Sequence, residues 1–199
     1  MEFRDLVMQR YATKRFDGRA VPEETVQAIL DLARFAPSAL NLQPWRIRVV
    51  TAPAQKEQLL GASWNQRQIT SCSHLLVCCA NRDLDAVVAR LERALVEAAA
   101  PEPMRQAVVG MAQGLAQSLS AEGALAWAQG QVQLLVANLL LAAQAHGVAS
   151  CPMSGFDAAA YSRILELPAS LVPTMLVPLG YPADTPAPKL RYALDELLV

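Results

Sequence analysis

The stretch from Glu122 to Ala145 constrains the fold more than any other part of this chain. It reads as one long helix, and its C-terminal half is apolar on nearly every face, through Leu134, Leu135, Val136, Leu139, Leu140 and Leu141. A surface helix carries one apolar stripe; a helix apolar all round is expected to be buried all round. The longest apolar run, Leu134 to Ala143, is broken by Asn138 and reaches about half of the roughly 20 residues that a bilayer crossing needs. The helix therefore belongs in the core of a soluble protein. In a chain of 199 residues, covering such a helix on every side calls for a second subunit against it.

The length fits one domain over 1–199 with a substantial core. Hydrophobic residues make up 53% and aromatics only 6%, and the excess of Ala, Leu and Val favours helices and a large buried interface. The formal net charge of -1 gives no electrostatic case for nucleic acid or an anionic membrane as partner, so any anion site must be local. The four cysteines, Cys72, Cys78, Cys79 and Cys151, form no Cys-x-x-Cys pair, and the only histidines are His74 and His146, which argues against zinc. Cys78 and Cys79 sit in an apolar run and read as buried free thiols, consistent with a reducing cytoplasm. The opening residues Met1-Glu2-Phe3-Arg4-Asp5 contain no apolar signal region.

Helices are expected over 2–10, from Pro22 to near Ala36-Pro37, over 54–62, 84–100, 104–120, 122–145 and 158–165. Pro22 is read as the first helical residue, Pro101 and Pro103 as breakers, and Gly147 as the cap of the long helix. Strands are expected over 47–50, 74–80 and 174–181, with Pro178 marking an edge or a bulge. The segment 83–120 forms a helical excursion, and the arm 191–199 follows a proline-rich linker with no local partner. The sum is an α+β domain with a small, mostly antiparallel sheet flanked by helices, in a homodimer that exchanges its C-terminal arm.

No Gly-x-Gly-x-x-Gly, P-loop, His-Glu-x-x-His or Gly-x-Ser-x-Gly motif occurs. What stands out is two short basic clusters near opposite ends. One holds Arg10 and Lys14 in Arg10-Tyr11-Ala12-Thr13-Lys14-Arg15-Phe16; the other holds Lys189 and Arg191 in Pro188-Lys189-Leu190-Arg191. Arg and Lys together supply forked and point-charge donors suited to a phosphate, although either pair alone is equally readable as solvated surface. Between them lies the rigid segment Pro37-Ser38-Ala39-Leu40-Asn41-Leu42-Gln43-Pro44-Trp45.

These segments together resemble the nitroreductase family of flavin-dependent oxidoreductases. Further landmarks fall in family order: Asn65 in Trp64-Asn65-Gln66-Arg67-Gln68, then Pro152-Met153-Ser154-Gly155-Phe156-Asp157, then Gly180-Tyr181-Pro182. The resemblance covers essentially the whole chain and is most specific in 37–45. It implies a homodimer with two FMN sites at the subunit interface. Arg10, Lys189 and Arg191 would hold the FMN phosphate. Tyr11 and Ala12 would meet the flavin through backbone and neighbouring contacts. Lys14, Asn65 and Gln68 would reach the pyrimidine edge of the ring. Pro37, Ser38, Ala39 and Asn41 would come from the other subunit, and Pro152, Met153, Ser154 and Gly155 would pack on the opposite ring face. A cation at Lys14 would stabilise the negative charge of the reduced ring, and a glycine at 155 would let backbone approach it closely.

Two positions depart from the family pattern as it occurs in the bacterial nitroreductases. Gln68 stands where many members have a second lysine, and Ser154 where many have Glu. The implied activity is reduction of nitroaromatics, quinones or similar conjugated acceptors with NADH or NADPH, by ping-pong hydride transfer. The residues from Met104 to Leu119 would serve as a substrate-facing lid. The alternatives are an FMN enzyme of a divergent subfamily (dehydrogenase, dehalogenase or flavin-cleaving) and a flavin-binding dimer without catalysis. No catalytic acid, base or nucleophile is required, since the cofactor carries the chemistry.

Overall fold

Strand β2 (His74–Asn81) runs through the middle of the molecule with all 8 residues buried. The computed structural model describes residues 2–199; Met1 of the expected 1–199 domain lies outside the described residues. Strand β1 (Trp45–Val50) pairs antiparallel with β2, Trp45 opposite Ala80 and Val50 opposite Leu75. Strand β4 (Leu171–Gly180) lies on the other side of β2, with Leu179 opposite His74. Strand β3 (Ala149–Ser150) adds two residues to the end of β4, giving the order β1-β2-β4-β3.

Because successive strand residues point to opposite faces, β2 feeds two separate cores. Leu76, Cys78 and Ala80 pack with α2 (Glu23–Ala33) and α7 (Ala121–Ala145), through Val26, Ile29 and Ala33 and through Val132, Leu135, Val136 and Leu139. Leu75, Val77 and Cys79 pack on the other face with Leu59 of α3 (Pro53–Leu60), Ile69 of α4 (Gln68–Ser71) and Tyr161 of α8 (Ala158–Ile164). The 83–120 excursion is two helices, α5 (Leu84–Glu97) and α6 (Glu102–Ser118). Their Val87, Val88, Leu91, Val109 and Ala112 make a third, smaller cluster with Leu42. Helix α1 (Phe3–Gln9) has no buried residue of its own.

The helix ends follow their caps. Asp83, Ser120 and Asp157 accept from the backbone N–H groups of Ala86, Gly123 and Ala160, which start α5, α7 and α8. Helix α7 stops at Gly147, at φ +69°, where the Val148 N–H donates to the Ala143 carbonyl at 2.9 Å.

Several expectations are corrected. Pro22 is the N-cap of α2 rather than its first residue. Pro103 does not break a helix; it sits in the first turn of α6, where a proline has no hydrogen bond to lose. The bulge in the sheet lies at Cys78/Cys79, facing Met175 and Pro173, not at Pro178. Pro178 belongs to a strand paired on both sides. Its carbonyl accepts from the Cys151 N–H at 3.2 Å, so its missing donor faces the flank where β3 has just ended. Strand β3 was not expected. Within one chain, helix α7 keeps an uncovered side: Leu134 is 42% exposed, and Asn138 and Leu141 are half-buried.

Candidate functional site

The two ends of the chain run side by side. Ala12 bridges to Ser150 at the β3 edge, and the Thr13 N–H donates to the Ser150 carbonyl at 3.2 Å. The Ala183 N–H donates to the Arg15 carbonyl at 2.8 Å, while Arg15 Nε and Nη2 donate to the Ala183 carbonyl at 3.1 and 2.6 Å. This pairing carries the proline-rich linker back along residues 10–15. Lys189 Nζ then donates to the backbone carbonyl of Arg10. Arg191 is close enough that its charge acts on Lys189.

The three cations have no carboxylate within ion-pair distance among the described residues. Lys189 is held below the ordinary lysine value of 10.5, first by loss of hydration and then by the like charges of Arg10 and Arg191. An exposed group of like charges without a counterion is a donor set suited to an anion such as a phosphate.

Beside it, Lys14 Nζ donates to Cys151 Sγ at 3.6 Å, and the Lys14 N–H donates to Asp184 Oδ2 at 2.6 Å. Burial pushes the Cys151 thiol up, and the Lys14 charge and the amide of Gln68 pull it partly back. The Tyr11 hydroxyl donates to the carbonyl of Asp184 at 3.0 Å and lies 3.1 Å from its Oδ1. Gln68 is buried, and its Nε2 donates to Gln66 Oε1 at 3.4 Å; Gln66 Nε2 donates to the Gly155 carbonyl at 2.9 Å. Trp64 and Asn65 are both left-handed, at φ 53° and 59°. That corner presents the Trp64 indole, 67% exposed, against Gly155. A Cβ at position 155 would lie 2.5 Å from Trp64 Cζ3, so it is this ring that the bare Cα accommodates. Met153 is buried and bridges to Leu176, Pro152 is half-buried and Ser154 exposed.

One chain therefore gathers Arg10, Tyr11, Ala12, Lys14, Gln68, Lys189 and Arg191, with Asn65 and Pro152 to Gly155 on the adjoining corner. It does not bring in Pro37, Ser38, Ala39 or Asn41. Those lie before Trp45, at the Ala80 end of β2 and beyond the β1 edge, whereas Ser150 lies level with Leu179 and His74 at the other end, on the β3 edge. Six residues of strand and three strand spacings separate the corners, roughly 20 Å by 14 Å. The loop is fixed where it stands. The Ala39 N–H donates to Gln131 Oε1 at 2.9 Å, the Gln43 N–H to Ser38 Oγ at 2.9 Å, and Arg90 to the carbonyls of Leu42 and Gln43. Leu40, Asn41 and Gln43 have φ of 52°, 53° and 45°.

Three residues of this region escaped the sequence reading: Gln66, Cys151 and Asp184. Asp184 had a visible signal, as the one acid between Pro182 and Lys189. Gln66 and Cys151 had none, because their roles arise from tertiary neighbours.

A sequence model of the Nitroreductase family matches residues 7–181. A protein of Thermus thermophilus named NADH dehydrogenase is 35% identical over 202 residues, spanning 100% of this chain and 96% of its own. The crystal structure of a nitroreductase family protein from Streptococcus pneumoniae TIGR4 superposes with a TM-score of 0.92 at 25% identity, covering 100% of this chain and 99% of that one. A structure from Exiguobacterium sibiricum 255-15, solved in complex with FMN, has a TM-score of 0.91 at 24% identity, covering 100% and 97%. With its family sequence model, its full-length relative and its fold in agreement, the chain belongs to the nitroreductase family.

Proposed function

We propose that the protein is an FMN-dependent oxidoreductase that uses NADH or NADPH to reduce nitroaromatics, quinones or similar flat conjugated acceptors. The observation that carries this reading is the uncompensated trio Arg10, Lys189 and Arg191, assembled from both ends of the chain beside Lys14. Its donor chemistry fits the phosphate of FMN, and the FMN complex of the Exiguobacterium sibiricum protein supports the choice of cofactor. The name of the Thermus thermophilus relative supports a nicotinamide donor. Bound FMN would supply hydride acceptance and donation in two alternating half-reactions.

The residues of this chain would do the rest. Arg10, Lys189 and Arg191 fix the phosphate, each charge-assisted hydrogen bond being worth about 1.5–3 kcal/mol. Tyr11 and Ala12 flank the ring through the 10–15 backbone. Lys14, Asn65 and Gln68 would line its pyrimidine edge, where the Lys14 charge would favour taking up electrons. The segment Pro152 to Gly155 would lie against one ring face, with Pro152 and Ser154 its accessible side chains, Met153 buried beneath and Trp64 beside Gly155. Pro37, Ser38, Ala39 and Asn41 complete the site from a second copy, since their own chain holds them at the far corner of the sheet.

A homodimer is supported by two more features. Leu190, Tyr192, Leu194, Leu197 and Leu198 are at least 66% exposed, so the 191–199 arm finds no cover on its own chain. A groove between α1, α2 and α7, lined by Leu6, Leu32 and Leu141, is also open. Helix α6, which spans most of 104–119 and leaves Met104 and Met111 more than half exposed, would be the substrate-facing lid. The four free thiols suit a reducing cytoplasm.

The test is a visible spectrum and light scattering on the purified protein. The expected result is a yellow dimer whose flavin bleaches with NADH or NADPH and recovers with a quinone or nitroaromatic. A monomer that stays colourless after incubation with FMN overturns the proposal.

A further inference from the structure

Asp184 is the carboxylate that binds most closely to the cation-lined segment. Its Oδ2 accepts from the Lys14 N–H at 2.6 Å, and its Oδ1 lies 3.1 Å from the Tyr11 hydroxyl, which also reaches its carbonyl at 3.0 Å. No ammonium or guanidinium group lies within ion-pair distance of it among the described residues. Its charge is held by neutral N–H and O–H donors, so it is not cancelled locally. Burial does most to raise the Tyr11 hydroxyl and the Cys151 thiol, and the Asp184 charge adds a smaller push to both, the thiol being the group that Lys14 Nζ contacts. The carboxylate therefore acts over the same space as the Lys14 ammonium, with opposite sign.

It is also the point where the two ends of the chain are tied. Ala183 and Arg15 exchange backbone and guanidinium bonds directly before it, and five residues later Lys189 reaches the Arg10 carbonyl. Asp184 joins the segment that carries Tyr11 and Lys14 to the segment that carries Lys189 and Arg191.

We propose that Asp184 is a positioning residue with two effects: it docks the phosphate-binding linker on residues 11–14, and its negative charge opposes Lys14, lowering the reduction potential of the bound flavin. The inference rests on the FMN reading above. Gln68 adds to the effect, because it is neutral and leaves Lys14 without a second cation at this edge.

The experiment measures flavin reduction potentials by equilibration with reference dyes, and FMN dissociation constants, for the wild type and three variants. Asp184→Asn and Asp184→Ser both remove the charge while keeping an acceptor for the Lys14 N–H; two variants guard against one failing to fold. Tyr11→Phe removes a tie and keeps the charge. The expected result is that the two Asp184 variants favour reduced over oxidised FMN about tenfold more than the wild type, an upward shift of about 30 mV for a two-electron couple. Tyr11→Phe is expected to weaken FMN binding several-fold and leave the potential where it was. Asp184 variants that bind FMN at an unchanged or lower potential overturn the inference, as does an equal rise in Tyr11→Phe. A wild type that binds no FMN overturns the functional reading, and this one with it.

Discussion

Leu76, Cys78 and Ala80 face the apolar stripes of α2 and α7, while Leu75, Val77 and Cys79, one residue out of phase, face α3, α4 and α8. None of the buried polar side chains among the described residues lies on α2 or α7; Lys56, Ser63 and Gln68 lie in or beside α3 and α4. There, Lys56 Nζ donates to the Cys72 carbonyl at 2.6 Å, and Ser63 Oγ lies 2.6 Å from the Tyr161 hydroxyl. The first face is held mainly by area removed from water, which is tolerant of direction, with polar ties only at its end, where His74 Nε2 lies 3.2 Å from Glu23 Oε2 and the Val21 N–H donates to Ser73 Oγ. The second uses hydrogen bonds, which fix direction and fail when one partner is lost. The polar layer leads to Gln68, Cys151 and Lys14, so the face that carries the candidate site is the one whose geometry is pinned.

The sharpest way to break this contrast is to cut into each side. Leu139→Ala, at a fully buried position of α7, is expected to cost about 2–5 kcal/mol in chemical unfolding while folded protein keeps its FMN affinity. Arg191→Ala should do the reverse. The residue is exposed, so stability should hold, while FMN binding weakens roughly ten- to hundredfold by fluorescence titration; unchanged affinity would remove Arg191 from the phosphate site. Tyr161→Phe tests the polar layer itself and is expected to cost about 1 kcal/mol, since Ser63 retains its 3.0 Å bond to the Leu59 carbonyl.

The next effect is smaller and depends on pH. Lys189 lies below its ordinary value in the free protein, and a bound phosphate favours its charged form. Binding therefore takes up protons wherever free Lys189 is partly neutral. FMN affinity should fall as the pH is raised toward the ordinary lysine value of 10.5, and the fall should vanish in Lys189→Met. Least visible is the thiol chemistry. Burial pushes Cys72 up to about 11 and Cys78 and Cys79 up to about 12. A thiol reagent at neutral pH should label these three only after unfolding.

The sequence made β2 legible because an uninterrupted apolar run bounded by breaks has few other homes. It made α7 legible through length and Gly147. Strand β3 was not legible, because two residues carry no period and pair only because β4 is already in place. Pro103 misled because a proline forbids an interior position yet suits a first turn, and the sequence does not number the turns. In the site, the cations could be read from residue type, but the meeting of Arg10 with Lys189 is a tertiary fact. The indole resting on Gly155 was equally out of reach, since it depends on two left-handed residues in succession at Trp64 and Asn65.

Lys189 and Arg10 touch across 179 positions of chain. During synthesis Arg10 would leave the ribosome long before Lys189, so the cation cluster is not yet assembled on the nascent chain. If these cations hold the FMN phosphate as proposed, cofactor capture would follow the docking of the 182–191 segment on residues 10–15 rather than guide the folding of the core.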